Sequence, residues 1–97
     1  MSEVSISHER QGNRGEYRAC SKEAGECGHL TWFEPSPGVR VADHTLVPDH
    51  LRGMGIAAKL VEALVADART EGFRIVPQCS YVAVAFRRHP EWAELRA

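Results

Sequence analysis

A regular spacing of apolar residues between positions 56 and 68 restricts the fold of this chain more than any other feature. Apolar residues recur there every three or four positions and charged residues lie between them, which is the pattern of a helix with one buried face. Gly72 is a typical residue for ending such a helix. We therefore predict a long amphipathic helix that begins near Gly53 and stops at Gly72. Its apolar face consists of Ile56, Ala57, Leu60, Val61, Leu64, Val65 and Ala68.

Four segments before this helix have the character of β-strands. In the first, Val4, Ile6 and His8 alternate with polar residues, which is the two-residue period of a half-buried strand. Turn residues follow at positions 12–15, so the chain opens with a hairpin. The next three strands are predicted at positions 16–20, 27–33 and 39–47.

Two helical segments and one strand follow the long helix. Arg74–Pro77 is short and rich in β-forming residues, so it is predicted as a fifth strand that runs parallel to the fourth after a right-handed crossover. Ser80–Arg88 reads as a shorter helix that stops before Pro90. Pro90–Leu95 is predicted as a last turn or short helix, with Trp92 and Leu95 packing inward.

Size, composition and charge restrict the class of protein. Ninety-seven residues suit one domain over positions 1–97, and 43% apolar with 26% charged residues is ordinary for a globular chain. A net charge of −1 gives no general electrostatic reason to expect a nucleic-acid or membrane partner. Every apolar run is too short to span a bilayer, and the start lacks the pattern of a secretory signal. We expect a cytoplasmic protein, either a monomer or a homodimer.

The three cysteines are expected to be thiols. An odd number cannot pair completely, and a cytosolic compartment keeps cysteines reduced. Cys20, Cys27 and His29 lack the tight spacing and the second ligand pair of a zinc site, so we expect no metal.

The segment between the fourth strand and the long helix indicates an anion-binding loop. Gly53 and Gly55 precede the helix start, where unpaired backbone N–H groups and the helix dipole favour a phosphate. The dinucleotide fingerprint fails because position 58 is alanine, and no Gly-Lys-Ser/Thr of a P-loop is present.

These residues resemble the GNAT superfamily of acyl-CoA-dependent N-acetyltransferases, whose pyrophosphate loop reads Arg/Gln-x-x-Gly-x-Gly/Ala. Arg52, Gly55 and Ala57 fill that pattern. The chain is also similar to a compact, stand-alone subfamily of about this length. The matching segments, which lie between about Val39 and Leu95, are His44-Thr45, Pro77-Gln78-Cys79 and His89-Pro90-Glu91.

The resemblance implies a minimal α/β fold with a mixed sheet of about five strands. The sheet is mostly antiparallel, with strands four and five parallel and splayed, and it carries one long cofactor-binding helix and a shorter C-terminal helix. Acetyl-CoA is the implied co-substrate, with its pantetheine beside Leu46 and Val47. The backbone that would hold its pyrophosphate comprises Arg52, Gly53, Met54, Gly55, Ile56 and Ala57.

Three side chains are candidates for the chemistry. Cys79 lies just past the fifth strand, where a thiolate could carry the acyl group if the following helix start, His44 or His89 activates it, although a buried inert cysteine is as common. His44 could accept a proton from an incoming amine, or could be a structural strand histidine. Many members of the superfamily have a tyrosine in the middle of the helix after strand five, where this chain has Val84-Ala85-Phe86. Tyr81 could replace it only if the helix start points its side chain inward; otherwise Cys79 or water would have to protonate the thiolate.

The sequence therefore favours an acetyl-CoA-dependent N-acetyltransferase acting on a primary amine of unidentified structure. The backbone N–H of Val47 would stabilise the oxyanion. Because of the missing tyrosine, the alternative is an acyl-CoA-binding or protein-interaction module of the same fold with little or no turnover.

Overall fold

The computed structural model describes residues 4–23, 25–51 and 53–97. The strands are β1 (Val4–Gln11), β2 (Arg14–Ser21), β3 (Cys27–Ser36), β4 (Val39–Leu46) and β5 (Arg74–Pro77). The helices are α1 (Ile56–Glu71) and α2 (Ser80–Arg88), with short 3-10 helices at Asp49–Leu51 and Pro90–Leu95. The predicted order of elements is confirmed, except that α1 begins at Ile56 and not near Gly53.

The five strands form one sheet in the order β1-β2-β3-β4-β5. The first four strands are antiparallel to their neighbours, and β5 is parallel to β4. The predicted mixed α/β fold is therefore confirmed. The outer edge of β5 is covered by the chain terminus, where the Ala97 N–H donates to the Ile75 carbonyl at 2.8 Å.

Both helices pack on one face of this sheet, and a single apolar core lies between the two layers. Alternation along the strands puts Tyr17, Ala19, Leu30 and Trp32 on that face, where each is at most 1% exposed. Trp92 and Leu95 are buried in the same core, as predicted. The helical contribution comes from the apolar stripe of α1, namely Ile56, Leu60, Val61, Leu64, Val65 and Ala68.

No described helix covers the opposite face of the sheet, which we call the outer face. Its residues on β2 and β3 are half-buried or exposed, and they interact both along β2 and between the two strands. Arg18 donates to Glu16 at 2.7 Å, and His29 lies 3.2 Å from the second oxygen of that carboxylate. A sheet with one polar, solvated face is typical of antiparallel strands.

One expectation about the cysteines is wrong. Cys20 and Cys27 lie directly opposite each other on β2 and β3, and a disulfide joins them with their Cα atoms 4.0 Å apart. The spacing alone did not reveal this pair because the hairpin register brings the two residues together. Cys79 is the free cysteine of the described chain.

Metal-binding clusters and membrane-spanning helices are both absent from the described ranges. These ranges hold no cluster of three or more His, Cys, Asp or Glu side chains that could bind a metal ion. Neither described α-helix has the length and apolar character required to cross a membrane.

His8 belongs to a partly buried polar cluster near the C-terminal end of α1. Its ring stacks on Tyr17 with centroids 4.0 Å apart, and the Trp32 indole N–H donates to its Nε2 at 3.0 Å. The Tyr17 hydroxyl donates to Asp67 at 2.6 Å. Burial lowers the pKa of His8 below its ordinary value of 6.5, although the Asp67 carboxylate opposes this shift. The cluster therefore favours neutral His8.

We expect stability to fall as the pH drops below about 6.5, because the unfolded chain then binds a proton that folded His8 resists. The stability that neutral His8 contributes is fully present above about pH 6.5, and it is lost as the pH falls through the lowered pKa of His8 in the folded protein. Urea unfolding at about pH 7.5 and pH 5.5 measures this difference. His8→Gln should be less stable at pH 7.5 and should lose less stability between the two pH values. An equal loss in parent and variant would contradict the assignment to His8.

Candidate functional site

The candidate site is built where β4 separates from β5. Their parallel pairing ends at Ala42 and Pro77, whereas β4 continues to Leu46. Past Ala42, the edge of β4 that faces β5 has no strand partner in the described chain. An exposed strand edge of this kind can accept an extended ligand with amide groups, as an added strand does.

A β-bulge lies at the same point of β4. His44 is opposite Thr31 on β3, but the next pair is Ala42 with Trp32, so Asp43 is an extra residue. Bulges bend a strand and redirect its side chains, and they are frequent beside active sites. As a result Thr45 faces the buried side, whereas His44 is exposed on the outer face.

Cys79 joins the start of α2 to the separated part of β4. Its N–H donates to the Ala42 carbonyl at 2.9 Å, and its thiol donates to the Thr45 hydroxyl at 3.2 Å. A tight turn, in which the Gln78 N–H bonds to the Val76 carbonyl at 2.9 Å, precedes it. These bonds hold the half-buried thiol on the helix side of β4.

The start of α1 leaves its first backbone N–H groups available. The first bond of the helix runs from the Lys59 N–H to the Gly55 carbonyl, no side chain caps the end, and no acidic residue lies in the first turn. Gly53 and Gly55 have φ values of 87° and 73°, which side chains other than glycine rarely adopt. The loop geometry therefore requires both glycines, and the free N–H groups suit an anion.

A groove of about 460 Å³ lies between α1 and α2. The α1 side consists of small residues, Ala57 and Ala58, together with Val61. A second cavity, of about 210 Å³, shares Ala57, Ala58 and Tyr81 with the groove and reaches Gly53 and Gly55. The loop before α1 and the apolar groove therefore meet at Tyr81, which is 44% exposed.

This arrangement can be compared with known proteins. A family model for the GCN5-related N-acetyl-transferases matches residues 16–95. The chain belongs to this family. Its fold also matches a GCN5-like protein of Staphylococcus aureus determined in solution by NMR, with a TM-score of 0.72 and 24% sequence identity. That alignment covers 100% of this chain and 91% of the other, so the N-acetyltransferase fold includes every element from β1 to the C-terminal 3-10 helix.

The structure brings several of the predicted N-acetyltransferase residues together. Tyr81 lines both the groove between α1 and α2 and the smaller cavity at the start of α1. Gly53, Gly55, Ile56, Ala57 and Val47 line the smaller cavity, and Met54 packs against the core. Arg52 lies outside the described residues.

Other predicted residues lie apart. His44 and the Cys79 thiol are on opposite sides of β4, so His44 does not contact the thiol. His89 stacks on Trp92 with centroids 4.0 Å apart and lies 2.9 Å from Glu91, so it is not beside Cys79 either. Leu46 is 55% exposed at the end of β4, whereas Val47 is buried.

Two structural requirements of the site could not be read from the sequence. A bulge has no reliable pattern in a single sequence, so the sequence does not predict the bulge at Asp43. Gly28 on β3 also has a specific role, since a Cβ there would lie 2.6 Å from the Ile56 Cγ2 atom and 3.4 Å from a Val47 methyl group. The absence of a side chain at Gly28 therefore lets the start of α1 pack directly on β3.

We expect Gly28→Ala to destabilise the fold by about 1–3 kcal/mol, because the added methyl group displaces the start of α1. Ile56→Ala removes the atom in closest contact. In a double-mutant cycle measured by urea unfolding, Gly28→Ala should therefore cost less in the Ile56→Ala background. An equal cost in both backgrounds would show that the contact with Ile56 is not the cause.

Proposed function

We propose that this N-acetyltransferase binds acetyl-CoA at the start of α1 and transfers the acetyl group to a primary amine. The uncapped helix start beside the groove is the observation that carries the proposal. The free N–H groups of the first turn suit the pyrophosphate, and the unpaired edge of β4 suits the pantetheine amides. Arg88 lines the far part of the groove and supplies a cation for the remaining phosphate.

The residues proposed for the chemistry lie on both sides of β4. His44, on the outer face, would take a proton from the amine directly or through water. The backbone N–H of Val47 would donate to the thioester oxygen as negative charge develops there. Tyr81, on the helix side, would return a proton to the departing thiolate. This division lets the amine attack from one side while the thiol leaves on the other.

Cys79 lines the proposed acyl site without an imidazole partner among the described residues. Its thiol is a hydrogen-bond donor to Thr45, and a thiol is a poor nucleophile without deprotonation. We therefore propose direct attack of the amine on the thioester, with Cys79 in contact with the acyl group and not acetylated.

A second candidate function keeps the cofactor site without turnover. Val84 and Ala85 line the groove in the middle of α2, where many relatives would have the proton-donating tyrosine. An acyl-CoA-binding or protein-interaction module would bind acetyl-CoA and release no free thiol with any amine. Turnover with one physiological amine would exclude it.

Gly55→Ala should weaken acetyl-CoA binding measured by calorimetry, because a side chain at φ 73° strains the loop by about 1–2 kcal/mol. Gly38→Ala is the matched control, since Gly38 has φ 80° in the turn between β3 and β4, away from the groove. We expect both variants to lose similar stability and only Gly55→Ala to lose affinity, by about tenfold. Failure of the parent protein to bind millimolar acetyl-CoA would refute the proposed function.

Tyr81→Phe should lower kcat by about a hundredfold or more and leave the Kd for acetyl-CoA nearly unchanged, because it removes only the proposed proton donor.

Cys79→Ala should lower kcat by less than about tenfold, since no covalent intermediate forms on Cys79. Release of free thiol measures both rates, and intact mass after incubation with acetyl-CoA should show no added acetyl group. A stable acetyl adduct that Cys79→Ala abolishes would instead establish Cys79 as the nucleophile.

A further inference from the structure

Asp43 occupies a particular place beside the proposed reaction centre. It is the extra residue of the β4 bulge, and it comes directly after Ala42, the last residue of β4 that pairs with β5. Its side chain bonds to Thr31 on the outer face, the face that also exposes His44. Asp43 and His44 therefore lie on the same face beside the separated part of β4.

Within the described residues, one oxygen of the Asp43 carboxylate accepts a hydrogen bond and the other does not. The Thr31 hydroxyl donates to its Oδ1 atom at 2.8 Å, which fixes the group in a half-buried position. The second oxygen has no hydrogen bond or ion pair within residues 4–23, 25–51 and 53–97. One oxygen therefore remains available to a donor from outside the chain.

The neighbouring carboxylate on the same face differs in this respect. Glu16 is opposite Thr31 on β2, and it is paired with Arg18 at 2.7 Å and with His29 at 3.2 Å. The Arg18 hydrogen bond is the main cause that lowers the pKa of Glu16. Asp43 is half-buried without a cation among the described residues. Partial burial of an ionised carboxylate costs free energy unless a partner compensates it.

We propose that Asp43 binds the ammonium group of the acceptor, so that the acceptor is an alkyl amine that is protonated at neutral pH. This inference rests on the proposed function, because it assigns the acceptor side of the same site. An alkylammonium group has three N–H donors, so one bond to Asp43 leaves others for His44 or water. Asp43 therefore selects the charged acceptor and holds its nitrogen near the base.

The chemical step balances with these groups. The ammonium gives one proton to His44 or to water, and the free lone pair then attacks the thioester carbon. The new C–N bond forms as the C–S bond breaks, and the thiolate takes a proton from Tyr81. The amide nitrogen gives up its second proton to water, and water returns a proton to the Tyr81 phenolate. Asp43 binds and orients the acceptor and exchanges no proton with it.

Kinetics with two acceptors test the role of Asp43. The acceptors are butylamine, which is cationic at neutral pH, and aniline, which is not. Asp43→Asn keeps the shape and the bond from Thr31, and should raise KM for butylamine by about tenfold to a hundredfold, the usual range for a lost charge-assisted hydrogen bond. We expect smaller changes in kcat, in KM for aniline and in the Kd for acetyl-CoA.

Two further variants separate local binding from general effects. Glu9→Gln removes an equal charge from the outer face of β1 and should change neither KM, whereas Asp43→Glu should recover part of the affinity for butylamine. The inference is overturned if Asp43→Asn leaves KM for butylamine unchanged, if it impairs both acceptors equally, or if Glu9→Gln has the same effect.

An NMR titration with butylamine, with and without acetyl-CoA, keeps the inference testable if no acceptor is turned over. Amide shifts at positions 43–45 that disappear in Asp43→Asn would support binding at Asp43 even though the proposed transfer had failed. Absence of such shifts would refute the role of Asp43 independently of acetyl-CoA binding.

Discussion

The end of the parallel pairing between β4 and β5 is the constraint on which the candidate site depends. The pairing stops at Ala42, directly before the bulge at Asp43, and the Cys79 N–H donates to the Ala42 carbonyl. This one hydrogen bond fixes the start of α2 beside the free edge of β4. The opening for an extended ligand and the position of the thiol therefore have a common origin.

The start of α1 is positioned by a second close contact. Gly28 allows Ile56 to pack against β3, and Ile56 is the first residue of the helix. The uncapped N–H groups are therefore held by the core and not by the exposed loop before them. The proposed anion site at this helix start would need little rearrangement when a ligand binds, which favours affinity.

Much of the fold could be predicted from the sequence because it follows from local periodicity. The apolar stripe of α1 and the alternation in β2 and β3 each bury one face, and the predicted elements formed where those patterns occur. The site was predictable in part, since Gly53 and Gly55 identify the loop at the start of α1. The bulge at Asp43 and the packing at Gly28 depend on contacts with distant strands, and one sequence contains no local signal for them. The disulfide between Cys20 and Cys27 was missed for the same reason, because it depends on the register between β2 and β3.

The uncovered face of the sheet also influences how such a small enzyme can select an acceptor. Antiparallel strands with polar outer residues tolerate solvent on one side, so the fold is stable without a second layer of helices. The same openness leaves water at the proposed acceptor side, where electrostatic interactions are weaker than in a closed site. Selectivity must then come from groups whose orientation is already fixed by the strands. The bond from Thr31 to Asp43 meets this requirement, because it holds a carboxylate at the bulge without any loop closing over it.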